Sequence, residues 1–155
     1  MPTVEQSIEV DVPVSTAYNQ WTQFEEFPKF MNGVENVRQL DDTHLHWVAE
    51  IGGRREEWDA EITEQHPDER IAWKATSGKD NAGVVTFHRL DERRSKIMLQ
   101  LDWESDGMLE KLGSALGQDD RQVKGDLERF KELIESRGAE TGAWRGKVEQ
   151  GTVTR

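Results

Sequence analysis

Apolar residues recur at every second position over residues 3–12, "TVEQSIEVDV", with Val4, Ile8, Val10 and Val12 on one face and Glu5, Ser7, Glu9 and Asp11 on the other. This is the period of a half-buried strand, and Pro13 ends it. Ser15 is placed to cap a short helix carrying Ala17, Tyr18 and Trp21. In "QFEEFPKFMNG", Phe24, Phe27, Phe30 and Met31 stand at helical spacing around Pro28, which predicts two short helices with a break near the proline. Strands separated by turn signals follow at about 34–40, 43–51, 54–65, 70–77, 82–90 and 95–104. The period then changes. Over 107–137, Val123, Leu127, Phe130 and Ile134 form one helical stripe and Leu109, Leu112 and Leu116 another above it. Gly113, Gly117 and Asp119-Asp120 predict a kink or restart in that helix, and Arg137-Gly138 reads as its C-terminal stop.

The order is strand, two short helices, six strands, long helix. Consecutive antiparallel strands need a cover for their apolar face, and the final helix is the one available. The expected fold is therefore α+β: a curved seven-stranded antiparallel sheet around a long C-terminal helix, forming a single domain over 1–137. Residues 138–155 are polar and Gly-rich and read as a tail. A curved sheet gripping a helix leaves a concave space, which makes a small-molecule cavity the first functional expectation.

Hairpin counting locates the walls of that space. With Gly52-Gly53 as a two-residue turn, Trp47 faces Trp58, Leu45 faces Ala60 and Ala49 faces Glu56; on the other face Glu50 meets Arg55, Val48 meets Glu57, His46 meets Asp59 and His44 meets Glu61. With "HPDE" (66–69) as a four-residue loop, Ile62 faces Trp73, Ala60 faces Ala75 and Glu61 meets Lys74. Phe87/Ile97 and Val85/Leu99 extend the apolar face toward Leu101 and Trp103, with Val84 and Thr86 as the alternative inner pair. Most carboxylates thereby fall on the solvent face. Arg54 and Glu56 remain on the inner face near the hairpin tip, either simply wet or set to orient a polar group of an apolar ligand.

The net charge of −11 argues against nucleic acid and anionic membranes as partners. No run is long or apolar enough for stable membrane insertion. The absence of cysteine removes thiolate nucleophiles and Cys-ligated metals and, with no basic-then-apolar leader, fits a cytoplasmic protein. There is no nucleophile elbow, phosphate loop or dinucleotide fingerprint, so no cofactor is expected. His44 and His46 share a strand face but lack convergent ligands, so no metal site is expected. Glu56 and His88 are the candidates for proton transfer; Glu64, also placed inward by alternation, stands too far along the strand to act with Glu56.

The segments "SIEVDVPVSTAYNQWTQFEEFPKFM", "GRREEWDAEI", "IAWKATSG", "NAGVVTFHRL" and "DRQVKGDLERFKELIE" resemble the SRPBCC (START-like, helix-grip) superfamily, in its polyketide cyclase/dehydratase and coenzyme Q-binding-like branch. The resemblance implies a helix-grip fold over about 3–137 and a pocket for a lipid, quinone or aromatic polyketide. Similar aromatase/cyclases place an inward Arg where this chain has Ile62, and a Tyr near its Val34. Both changes leave a more apolar cavity. The main reading is a carrier or sensor of a hydrophobic small molecule. Its walls are Trp47, Trp58, Ile62, Trp73, Val85, Phe87, Leu99 and Leu101, closed by Val123, Leu127 and Phe130, with Phe27 and Phe30 at the entrance. The alternatives are a cyclase/dehydratase-type enzyme using Glu56 or His88, and an interaction module with a filled core. In the last case Trp144 of the tail either anchors a protein partner or docks on its own sheet.

Overall fold

The computed structural model describes residues 3–51, 53–78, 81–103 and 115–154. The chain forms β1 (Thr3–Val10), α1 (Val14–Trp21), a 3-10 helix (Phe24–Lys29), then β2 (Val34–Gln39), β3 (His44–Ile51), β4 (Arg54–His66), β5 (Arg70–Gly78), β6 (Asn81–Arg89), β7 (Ser95–Trp103), α2 (Ala115–Arg137), β8 (Lys147–Glu149) and β9 (Thr152–Thr154). The seven expected strands run in the order β1-β7-β6-β5-β4-β3-β2, every neighbouring pair antiparallel. The expected count of seven is two short: the segment read as a tail adds β8, paired with β4, and β9, paired with β8.

The β3/β4 hairpin has the counted register, from His44↔Glu61 through Trp47↔Trp58 to Ile51↔Arg54, with Gly53 at positive φ in its tip. The next hairpin reaches Ile62↔Trp73 by a different route. His66 pairs with Arg70, so the loop is Pro67-Asp68-Glu69 with Asp68 at positive φ, one residue shorter than expected. A β-bulge between Ile62 and Glu64 restores the count. Beyond the bulge the faces exchange. Gln65 is sealed inside, while Glu64, expected inward, is half-buried beside Arg70 and His66 on the outer face.

Pro28 does not break a helix. It sits inside the 3-10 helix, and the break falls at Thr22-Gln23. Phe24, Phe27 and Phe30 recur every third residue, the 3-10 period, and all three point inward. Ser15 makes no cap; α1 starts directly after Pro13, whose carbonyl accepts the Ala17 N–H at 3.1 Å.

α2 lies along the inner face against β1, burying Val123, Leu127, Phe130 and Ile134 as a single stripe. It ends where expected, with Gly138 at positive φ and its N–H donating to the Ile134 carbonyl at 2.8 Å. Leu109, Leu112 and Gly113 lie outside the described residues; the break expected at Gly117 and Asp119-Asp120 does not occur, since α2 runs continuously from Ala115 to Arg137.

Helix, 3-10 segment and sheet meet at Trp21. Its ring centroid stands 5.0 Å from Phe130, 5.5 Å from Phe27, 5.6 Å from Phe30 and 6.3 Å from Phe87. Truncating a sealed aromatic loses transfer free energy and leaves a cavity the neighbours cannot fill. Phe130→Ala is expected to lower unfolding free energy by about 3–5 kcal/mol, read from urea titrations. A loss below ~1 kcal/mol would show that the helix is not pinned there.

Candidate functional site

Three indoles form the site's base. Trp47 and Trp58, opposite one another on β3 and β4, have centroids 5.8 Å apart and ring planes 8° from parallel. Trp73 on β5 lies 6.4 Å from Trp47 at 22°. The slab lies close on the sheet because β6 carries Gly83 opposite Trp73: a methyl group there would stand 2.5 Å from Trp73 Cζ2 and 2.9 Å from Leu101 Cδ2. The sequence reading missed Gly83, although a glycine inside a strand pattern is itself a sign of close approach.

Burial divides the expected walls into two groups. Ile62, Val85, Leu99, Leu127 and Phe130 are sealed, as are Phe27 and Phe30, at 0% and 1% exposure. The last two do not guard an entrance: the threefold period of the 3-10 helix turns them into the aromatic core, Phe27 edge-on to Trp21 and 5.7 Å from Trp47. Phe87 is buried at the same end, its ring 5.3 Å from Tyr18. Trp58 and Leu101 are half-buried, while Trp47, Trp73 and Val123 keep a margin of 5–6%. Among the expected walls the inner face is therefore least covered at Trp58 and Leu101.

At the β3/β4 hairpin tip Arg54 is exposed and Glu56 half-buried, and neither pairs with another group among the described residues. Ile62, where similar aromatase/cyclases have an inward Arg, is fully buried opposite Trp73. His88 is not brought to this site. It is exposed on the outer face of β6, its Nε2 3.0 Å from Thr86 Oγ1, while the inward residues of that strand are Val85 and Phe87.

A polar clamp closes the β2 side, and the sequence reading missed it too. Burial leaves the peptide groups after the 3-10 helix in need of partners, and α2 supplies them. The Asn32 N–H donates to Asp126 Oδ1 at 3.0 Å, Arg129 Nε to the Phe30 carbonyl at 2.9 Å, and Gln122 to the Asn32 carbonyl. Arg129 also pairs with Asp126. On the other side, the Gly33 carbonyl accepts the Glu50 N–H of β3 at 2.6 Å. Burial pushes the Asp126 carboxyl up from 3.8 to about 6, against the pull of the Asn32 N–H and Arg129.

The outer face is a charged ladder. His46 Nδ1 lies 2.8 Å from Asp59 Oδ1 and its Nε2 3.2 Å from Glu57 Oε1, contacts that raise its pKa and lower that of Asp59. His44 turns to Asp41, at 2.8 Å, instead of Glu61. Among the described residues no group of three or more such side chains is placed to hold a metal ion.

Residues 10–132 match the family model described as polyketide cyclase / dehydrase and lipid transport. The chain belongs to this family. An uncharacterized 17.2 kDa protein of Streptomyces lincolnensis is 61% identical over 149 residues, covering 96% of this chain and 99% of its own. Among solved structures, an aromatase/cyclase of Streptomyces sp. R1128 superposes with a TM-score of 0.72 at 15% identity, covering 92% of this chain and 99% of that one. A START superfamily protein of Mycobacterium smegmatis gives 0.70 at 17%, with 85% and 98% covered. These two share the fold with this polyketide cyclase-family protein, which is α+β and helix-grip. Among the described residues no helix is long and apolar enough to cross a membrane.

Two substitutions test the geometry. Gly83→Ala is expected to fold but to tilt Trp73 off the sheet, costing about 1–3 kcal/mol and shifting Trp fluorescence; unchanged stability and emission would refute the close contact. Asp126→Asn tests the clamp through linkage. The folded pKa is raised, so ionisation of Asp126 opposes folding increasingly as pH climbs from about 4 to about 6, and fully above that. The variant should melt higher than the parent at pH 8, and its advantage should vanish below pH 4; a pH-independent difference would contradict the assignment.

Proposed function

We propose that the protein is a carrier or sensor that binds a hydrophobic small molecule in the cleft between the Trp47/Trp58/Trp73 slab and α2. The supporting observation is where the inner face is least covered: the incompletely buried wall residues there, Trp58 and Leu101, are both apolar, and they adjoin the stacked indoles of Trp47 and Trp73. A planar ring system matches that surface better than a branched chain, because offset stacking adds to simple area burial. Among the described residues the indole N–H groups of Trp47 and Trp58 are buried without an acceptor. A ligand oxygen reaching them would relieve that penalty, which favours a quinone or aromatic polyketide over a plain hydrocarbon chain. Arg54 and Glu56, unpaired at the tip among the described residues, would orient the ligand's polar end. In this reading the cleft is built from residues within 1–137, and the protein acts in the cytoplasm.

A cyclase/dehydratase-type activity is the second reading, favoured by one observation: among the described residues Glu56 is an unpartnered carboxylate on the inner face, one pleat from Trp58. It predicts that turnover of a bound polyketide stops in Glu56→Gln while binding persists.

Native mass spectrometry of the purified protein, with Trp fluorescence titration by quinones, aromatic polyketides and fatty acids, tests the binding reading. Saturable quenching by a ring compound is expected, and Trp58→Ala should weaken its affinity roughly tenfold or more, the scale for losing an aromatic contact of ~1.5 kcal/mol. Unchanged affinity in a folded Trp58→Ala protein would overturn the site.

A further inference from the structure

The segment after Gly138 lies across the body as a strap, and its seat is built in detail. Gln20, sealed on α1, accepts the Thr141 N–H at 2.8 Å and donates to Thr141 Oγ1 at 3.1 Å. Thr22 Oγ1 accepts the Trp144 N–H at 3.1 Å, and Asn19 holds Glu140 at 2.9 Å and Arg145 at 2.7 Å. Arg145 reaches Asp68 at 2.8 Å and stands over the Tyr18 ring, 5.5 Å from its centroid. Trp144 packs half-buried on the core and Val148 is fully buried. Backbone and body approach closely: a methyl on Gly142 would stand 2.7 Å from Gln23 Oε1, and one on Gly151 would strike Glu61.

The last part of the seat is a strand edge. β3 begins at His44, opposite Glu61, but β4 runs on to His66. β8 fills the vacant edge, with Glu64↔Glu149 and Gln65↔Val148, and the Gly151 N–H donates to the Thr63 carbonyl at 3.0 Å. This is strand addition, the way sheet edges take extended peptides, with the peptide supplied by the chain itself.

We propose that this groove also takes the strap of a second copy, so that two chains exchange residues 139–154. Every seat contact named above comes from residues 18–68, so the seat is complete without the strap's own tether. The occupant is specified by what fits: a Thr, a Trp, an Arg and a Val at the strap's spacing, carried by a segment whose two basic and two acidic residues balance, on a chain of net charge −11. The strap is also held imperfectly. Among the described residues Asp68 Oδ1 is buried at the seat without a hydrogen bond, and the Tyr18 hydroxyl and the Gln65 amide, which lie against one another, make none to the strap; lifting the strap returns them to water. Gly138, at positive φ between the end of α2 and the strap, is the point where the connection can re-route. The tether favours the chain's own strap at low concentration; a second copy competes as concentration rises, with no new contact type required.

The chain has no cysteine, so single introduced thiols report the exchange cleanly. Glu64 and Glu149 are directly paired across β4 and β8, at a separation a disulfide can span. The full-length double variant Glu64→Cys/Glu149→Cys should oxidise to a cross-linked monomer when dilute. When full-length Glu64→Cys and Glu149→Cys proteins are mixed at high concentration, a disulfide heterodimer should form. It should form at least about tenfold faster than in a mixture of Glu149→Cys with Glu92→Cys, whose thiol lies in the exposed β6–β7 turn and meets its partner only by collision. A heterodimer rate no higher than this control, with the double variant cross-linked internally, would show that the strap stays with its own chain. Failure of the internal cross-link would overturn the seat itself.

Discussion

The structure depends on the burial of one indole. Trp21 touches an aromatic side chain from the 3-10 helix, from β6 and from α2, so three separate parts of the chain are registered against a single rigid plate. Edge-to-face contacts of this kind have preferred angles, which area burial alone does not impose. α2 is thus fixed at its C-terminal half, where Phe130 and Ile134 are sealed, while Gln122, Asp126 and Arg129 hold the preceding turns to the chain after the 3-10 helix.

Much of this was legible in the sequence because sheets obey a strict period. Two glycines fixed the β3/β4 register, and the register fixed which tryptophans meet. The stripe from Val123 to Ile134 gave the buried side of α2 for the same reason. Legibility failed where the period breaks. One extra residue at the β4 bulge is invisible to counting, since a loop one residue shorter compensates for it; the interior pairs came out correct while Glu64 and Gln65 exchanged faces. The phenylalanines after α1 suit both a 3.6 and a 3.0 period, and only packing decides between them. The strap was read as a tail because its hydrogen bonds leave no mark on hydrophobic patterning, and the apolar residues it packs on the core, Trp144, Val148 and Val153, are too sparse to set up a period. Within the candidate site, large apolar residues announced themselves, whereas Gly83 and the Asp126–Arg129 clamp act through a missing side chain and through buried hydrogen bonds.

The two faces of the sheet solve different problems. The inner face is dry enough that a carboxylate at Asp126 is held at a cost and must be met by a peptide N–H and a guanidinium. The outer face carries its histidines among carboxylates, in contacts that water and salt weaken. Family membership fixes the scaffold that both faces share, and the chemistry of the cleft rests on the few side chains where it is least covered.

The parallel arrangement of Trp47 and Trp58 also has an optical side. Chromophores a few ångströms apart with aligned planes do not absorb independently: their transition dipoles mix, and in a chiral setting the mixing appears as paired bands of opposite sign in circular dichroism. A centroid separation of 5.8 Å and a tilt of 8° place these rings in that regime, with Trp73 close enough to join them. The cleft thus carries a spectroscopic label written by its own walls. A molecule that slid between the plates or pried one away would alter the band shape, not merely its intensity, and so reveal where it had gone as well as that it had bound.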